Sequence, residues 1–249
     1  MELRYIKWGK FVRDALGIEC LKRIPYIWSL QWYLSGVIRK QGMMVINIDR
    51  LDKDLYFDYA GMKFVPDLIG YSTIFYSWEE YPIDQLKSTD IVLDLGACVG
   101  GFALPASKRV KKVYALEPLK PLADLLGRNT ELNQITNIQI LHYALGSEGR
   151  RKLDYEGVEE DCEFISFKTL LSKIPDKVDV VKLDCEGGEW SIDLDLLGTP
   201  RLMFGELHYK MGGGGSWSKF SSWFDKEGYK YTHKYSGRGV LGYFSAERR

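Results

Sequence analysis

From residue 91 onward, short apolar runs recur at regular intervals: IVLDL (91–95), KVYALE (112–117), IQILHY (138–143), VDVVKLD (178–184) and RLMFGEL (201–207), with helical patterns between most of them. Runs this short and this continuously apolar suit strands buried on both faces, and strands separated by helices build a parallel sheet with helices on either side. The closing stretch differs. YKYTHKY and GVLGYFS flank Ser236, Gly237, Arg238 and Gly239, the pattern of an antiparallel hairpin at a sheet edge. The expectation is an α/β chain of Rossmann-like type, and its 249 residues are enough for one large domain with an extension.

Ahead of residue 90 the pattern changes twice. Leu3, Ile6, Trp8, Phe11, Val12, Ala15 and Leu16 fall at helical spacing, and the stretch around Trp28 and Trp32 continues it, so 1–42 reads as a helical extension. From 43 the period becomes two, with Met44, Ile46 and Ile48, then Leu55, Phe57 and Tyr59, then Met62 and Phe64, predicting a small antiparallel β unit over 43–66 that opens the main domain, 43–249. The segment IPYIWSLQWYLSGVI (24–38), bracketed by Lys22, Arg23, Arg39 and Lys40, is too short and too interrupted to span a bilayer. It is read as a core or subunit-packing helix, the latter implying an oligomer, with contact at a membrane surface as the rival role. No secretory leader is evident, and Cys20, Cys98, Cys162 and Cys185 have no metal-site or paired spacing, so reduced thiols and a cytoplasmic location are expected. Lys plus Arg and Asp plus Glu balance at 34 each. The summed field therefore gives no attraction for a polyanion, and nucleic acid is disfavoured as a partner.

The first strand candidate runs straight into LDLGACVGGF, residues 93–102. Glycines at the carboxyl end of a parallel strand let the backbone approach a ligand where open α/β sheets bind one. A pyrophosphate turn would read GxGxxG, but Cys98 occupies its second glycine position. Asp94 would repel a phosphate and suits a cofactor with a cationic amine. Glu117, 23 residues further on (117 minus 94), can accept both hydroxyls of a ribose. A nucleoside with a charged amino-acid tail meets both demands, and S-adenosylmethionine is such a molecule.

Two further stretches carry acid–base chemistry. KLDCEGGEW (182–190) ends the fourth strand candidate and brings Lys182, Asp184, Glu186 and Glu189 to the same row of loops. These groups can act as general base, hold hydroxyls, or bind a divalent cation through Asp184, Glu186 and Glu189, a weak candidate metal site. GELHYK places Glu206 and His208 on one face of the next strand, with His208 a candidate base for a hydroxyl proton. Gly212 to Gly215 precede a helix expected from Ser216 as N-cap through Trp217, Phe220, Trp223 and Phe224 to Gly228, and are a candidate lid.

VLDLGACVGGF, ALEPLK, LHYALGSEG, VVKLDCEGGEW and GELH, in this order, resemble the FkbM-type family of class I S-adenosylmethionine-dependent methyltransferases. The likeness covers about 43–245, with KLDCEGGE its most specific piece. It implies a seven-stranded, mostly parallel sheet with an antiparallel last strand, and O-methylation of a hydroxyl on a sugar or other glycan, polyketide, lipid or related small molecule. It also implies that Asp94, Gly96 and Gly100 hold the methionine end, with Ala97 beside them. Glu117 would hold the ribose, with Pro118 following, and Ala144 would lie near the adenine. Asp184 would be shared between donor and acceptor, with Lys182, Glu186 and His208 on the catalytic side. The rival readings are a nicotinamide oxidoreductase, an RNA methyltransferase, and a non-catalytic cofactor-binding protein acting through its N-terminal helices.

Overall fold

A computed structural model of the chain describes residues 48–51, 54–59, 61–65, 81–155, 158–211, 214–236 and 240–248. The helices expected over 1–42, the start of the β unit, and Gly212 and Gly213 lie outside them. Strands β1 (Ile48–Leu51), β2 (Asp54–Tyr59) and β3 (Met62–Phe64) form an antiparallel sheet in that order, as the period-two pattern predicts. In β3, Met62 and Phe64 are buried and Lys63 between them is not, which is the alternation of a sheet with one face on a core.

The main sheet is assembled from β4 (Ile91–Leu95), β5 (Lys112–Leu116), β6 (Ile138–Leu141), β10 (Val180–Leu183), β11 (Leu202–His208), β12 (Tyr229–Ser236) and β13 (Leu241–Arg248). Its order is β12-β13-β11-β10-β4-β5-β6. From β11 to β6 every neighbouring pair is parallel, while β13 runs antiparallel to both β11 and β12. From β4 the chain builds outward through β5 to β6, then returns to lay β10 on the other side of β4. That reversal leaves a crevice beyond the carboxyl ends of β4, β5 and β10, where such sheets take their ligands.

Alternation within the strands gives the sheet two buried faces. Val92, Val113, Val180 and Phe204 pack with Phe102, Leu104 and Leu126, the last two from α1 (Ala103–Ser107) and α2 (Lys120–Leu132). Leu93, Leu95, Leu183 and Met203 pack on the opposite side, against Leu170 of α3 (Phe167–Ser172), Leu194 and Leu197 of α4 (Leu194–Leu197), and Phe220 and Phe224 of α5 (Ser218–Glu227). Helix α5 begins one residue later than its aromatic spacing suggests, with Trp217 at the cap, and ends as expected at Gly228 in the left-handed conformation. Asn129 and Asn133, one turn apart on α2, bind the small sheet to the large one. Asn129 Oδ1 accepts from the Val65 amide, and the Asn133 amide group both accepts from and donates to the Lys63 backbone.

One unit was not anticipated. After β6 the chain forms β7 (Ala144–Leu145), β8 (Gly149–Tyr155) and β9 (Val158–Ile165), a separate sheet in the order β7-β9-β8. Its sequences, GRRKLDY and VEEDCEFI, carry few apolar residues because much of the ladder is exposed. Cross-strand pairs such as Arg150 with Asp161 (2.9 Å) and Lys152 with Glu159 (3.0 Å) replace the usual apolar signal.

Candidate functional site

A cavity of about 840 Å³ opens at the crevice, lined among others by Gly96, Glu117, Pro118, Ala144, Asp184 and Glu186. Strand β4 delivers Gly96, β5 delivers Glu117, β7 contributes Ala144 and β10 ends at Asp184. Gly96 has φ +88, and a Cβ there would lie 1.7 Å from the Asp184 carbonyl oxygen. Only glycine allows the β4 and β10 tips to approach this closely while keeping a positive φ.

Backbone amides around the glycine turn explain the departure from a phosphate-binding sequence. The Gly96 and Ala97 amides donate to the Leu116 carbonyl and the Gly100 amide to Ala97. The Cys98 amide donates to Glu117 Oε2 at 2.9 Å, and the Leu119 amide to Glu117 Oε1, also at 2.9 Å. The turn thus directs its Cys98 amide to the protein's own carboxylate, and its Gly96, Ala97 and Gly100 amides to backbone carbonyls, where a dinucleotide fold would keep donors for pyrophosphate. This counts against the nicotinamide reading. Cys98 sits at φ 48, inside the turn that aims its amide at Glu117. Burial pushes the Glu117 carboxyl up to about 7, against the lowering effect of its two amide bonds and of Lys182. Each of its oxygens has a second lone pair for a diol.

Asp94, Ala97 and Gly100 do not reach the cavity. Asp94 is fully buried beneath it, with its Oδ1 3.2 Å from Lys182 Nζ. Gly100 serves the turn instead, at φ +96, a conformation that favours glycine. Lys182 also stands below the cavity floor, donating to the Gly96 carbonyl at 2.6 Å and lying 3.6 Å from Asp184 Oδ2. Burial would lower its pKa, but Asp94 and Asp184 more than reverse this and hold it above the ordinary lysine value. Lys182 is therefore a fixed cation tying β4 to β10, not a proton acceptor.

On the acceptor side, Asp184, Glu186, Glu189 and His208 converge as the sequence suggests, in a different arrangement. Glu189 is fully buried and stands behind His208, its Oε1 2.6 Å from Nδ1. The opposite ring nitrogen, Nε2, faces Glu186 Oε2 at 3.3 Å and Asp184 Oδ1 at 4.0 Å. Burial would lower the His208 pKa, but the bond to Glu189 and the charges of Glu189, Glu186 and Asp184 raise it to about 9. With only these neighbours the ring is an imidazolium at neutral pH and has no lone pair with which to take a hydroxyl proton.

Tyr81 is a site residue that sequence reasoning missed. Its hydroxyl donates to Asp184 Oδ2 at 3.2 Å, and its ring packs on Phe102 and Phe204 at the cavity wall. It precedes the first main strand in a stretch with no periodicity, so only a three-dimensional contact reveals it. At the described end of the glycine run, Gly215 lies against Trp190, where a Cβ would stand 2.0 Å from the ring. Cavity residues Met211 and Tyr243 flank this region.

The strand order, the antiparallel last strand and the crevice at the reversal point together make the Rossmann-like fold of class I methyltransferases. Among solved structures, M. jannaschii TYW2 in complex with AdoMet aligns over 80% of this chain and 87% of its own, with a TM-score of 0.50 and 14% identity. The chain is similar over 91 residues, at 33% identity, to 23S rRNA (uracil(1939)-C(5))-methyltransferase RlmD of Haemophilus influenzae, covering 36% of this chain and 19% of that protein. It is 40% identical over 55 residues to the RlmD of Pasteurella multocida, covering 22% of this chain and 13% of the relative. The chain thus spans about a fifth or less of the curated relatives it matches. No family model matches it, and what the comparisons support is the methyltransferase fold. The names of these relatives correct the expectation that nucleic acid is disfavoured as a partner. That expectation rested on a net charge summed over the whole chain, and a sum of zero leaves any one face free to be basic.

Proposed function

We propose that this chain is an S-adenosylmethionine-dependent methyltransferase and that its acceptor is RNA. Glu117 carries the methyltransferase reading: a buried carboxylate at the tip of β5, held by the Cys98 amide of the glycine turn and by the Leu119 amide, and open to the cavity. It is built to receive a ribose diol. The donor's sulfonium supplies the methyl group. Asp184, at the adjoining tip of β10, offers the carboxylate for a cationic amine that the sequence assigned to Asp94. Tyr81 and Lys182 fix the angle of that carboxylate from below. The rest of the rate enhancement is orientation, for holding acceptor and methyl in line near van der Waals contact is worth several kcal/mol. The RNA clause is supported by the relatives named above.

A second reading, O-methylation of a small-molecule hydroxyl, is favoured by the carboxylates of Asp184 and Glu186 in the cavity wall, with the His208 imidazolium beside them. An acceptor that must lose a proton is better served by such a cluster than one that need not. One experiment separates the two. The protein is incubated with S-adenosylmethionine labelled in its methyl group, in parallel with unmodified ribosomal and transfer RNA transcripts and with a panel of sugars and other alcohols. Label that precipitates with RNA and is released by ribonuclease is the expected result. Label confined to the alcohols would transfer the assignment to the second reading. Failure to bind S-adenosylhomocysteine in calorimetry would remove both.

A further inference from the structure

We propose that Asp184, Glu186 and His208 form a binding site for a divalent first-row metal ion at the wall of the methyl-transfer cavity. One donor atom from each lies within 4.8 Å of the others. Ligands about 2.1 Å from a common ion stand about 3–4 Å apart, the range of the 3.3 and 4.0 Å separations from His208 Nε2. The pieces behind these three point the same way. A metal-binding imidazole is fixed by a carboxylate on its other nitrogen, and Glu189, wholly buried, holds Nδ1 at 2.6 Å and so turns Nε2 toward the cavity. A metal-binding carboxylate is itself steered by hydrogen bonds. The Tyr81 hydroxyl and the Lys182 ammonium both engage Oδ2 of Asp184, turning Oδ1 to the cluster.

One nitrogen and two carboxylate oxygens form a mixed donor set that suits Mn²⁺ or Zn²⁺ better than Ca²⁺, which takes oxygen alone. Asp184 and Glu186 line the cavity, so an ion held there would be open to a hydroxyl of the acceptor. This chemistry rests on the methyltransferase reading, and the metal site itself does not. The coordinated hydroxyl releases its proton to water, lowered in pKa by the ion. Its oxygen lone pair forms the new O–C bond as the S–C bond breaks, and sulfur keeps that electron pair as a neutral thioether. The products are a methyl ether, S-adenosylhomocysteine and one proton. The acceptor atom so selected is an oxygen, on the ribose of an RNA or on a smaller alcohol.

The test is a titration of Mn²⁺ into the full chain without substrate, reading free Mn²⁺ by electron paramagnetic resonance, followed by competition with Zn²⁺. One saturable site per chain is expected. Glu189→Gln should weaken it about 10–100-fold through the orientation of His208. His208→Ala should weaken it at least as much, and Glu186→Gln about tenfold or more. Because His208 and Glu189 are buried and their variants can fail to fold, Glu186, with its side chain 40% exposed, is the deciding position. No saturable uptake of either ion by the folded wild type, or uptake that Glu186→Gln leaves unchanged, would overturn the proposal. S-adenosylhomocysteine is titrated separately in EDTA. Mn²⁺ binding without it would keep the metal site and remove the methyltransferase reading, and the converse would do the opposite.

Discussion

Glu117 shows what a single side chain can reveal before any ligand is present. Its folded-state carboxyl is raised from 4.5 to about 7, first by burial, with Asp94 adding and Lys182 and two amides subtracting. A raised carboxyl stabilises the fold fully below its unfolded value, and that contribution is lost as pH climbs through about 7. The apo protein should therefore lose up to about 3 kcal/mol between pH 4.5 and 8 from this group. Glu117→Gln, neutral throughout, should flatten that slope, and melting curves at several pH values without ligand would check it. Glu117 and Asp184 were legible in the sequence because strand ends and acidic residues can be counted along it. The burial of Asp94 under Lys182 was not, since it depends on β4 and β10 becoming neighbours across 88 residues (182 minus 94).

Among the elements, strands read best from sequence and the connections between them worst. The five runs from IVLDL to RLMFGEL became β4, β5, β6, β10 and β11 with ends shifted by at most two residues, because all but the edge strand β6, which exposes Gln139, are buried on both faces and leave a continuous apolar signature. The sheet of β7, β8 and β9 escaped because it is held by exposed ion pairs and backbone ladders, which leave no hydrophobic period. Helix α5 was legible through its aromatics, and the structure explains why they are needed. Phe220 and Phe224, both wholly buried, pack with Phe244 of β13, joining helix to sheet. Phe224→Ala should cost about 3–5 kcal/mol, measured by urea unfolding, as expected for an aromatic removed from a close-packed core.

At the scale of the molecule, acidic and basic residues cancel, which constrains how an RNA would be held. Affinity for a single-stranded RNA falls with salt at a slope of about −0.7 per phosphate neutralised. A chain whose charges cancel can offer the backbone only a local basic face, so few phosphates should be contacted, and a slope shallower than about −3, roughly four phosphates, is expected from filter binding between low and moderate salt. The order of the sheet has a consequence of another kind. Strand β13 is translated after the others yet lies between β11 and β12, which are successive in the chain. During synthesis the half that carries Glu117, β4 to β6, can form early. The strand bearing His208 gains its outer neighbour only when the hairpin closes, so a ribosome-bound chain lacking β13 would present half a cleft.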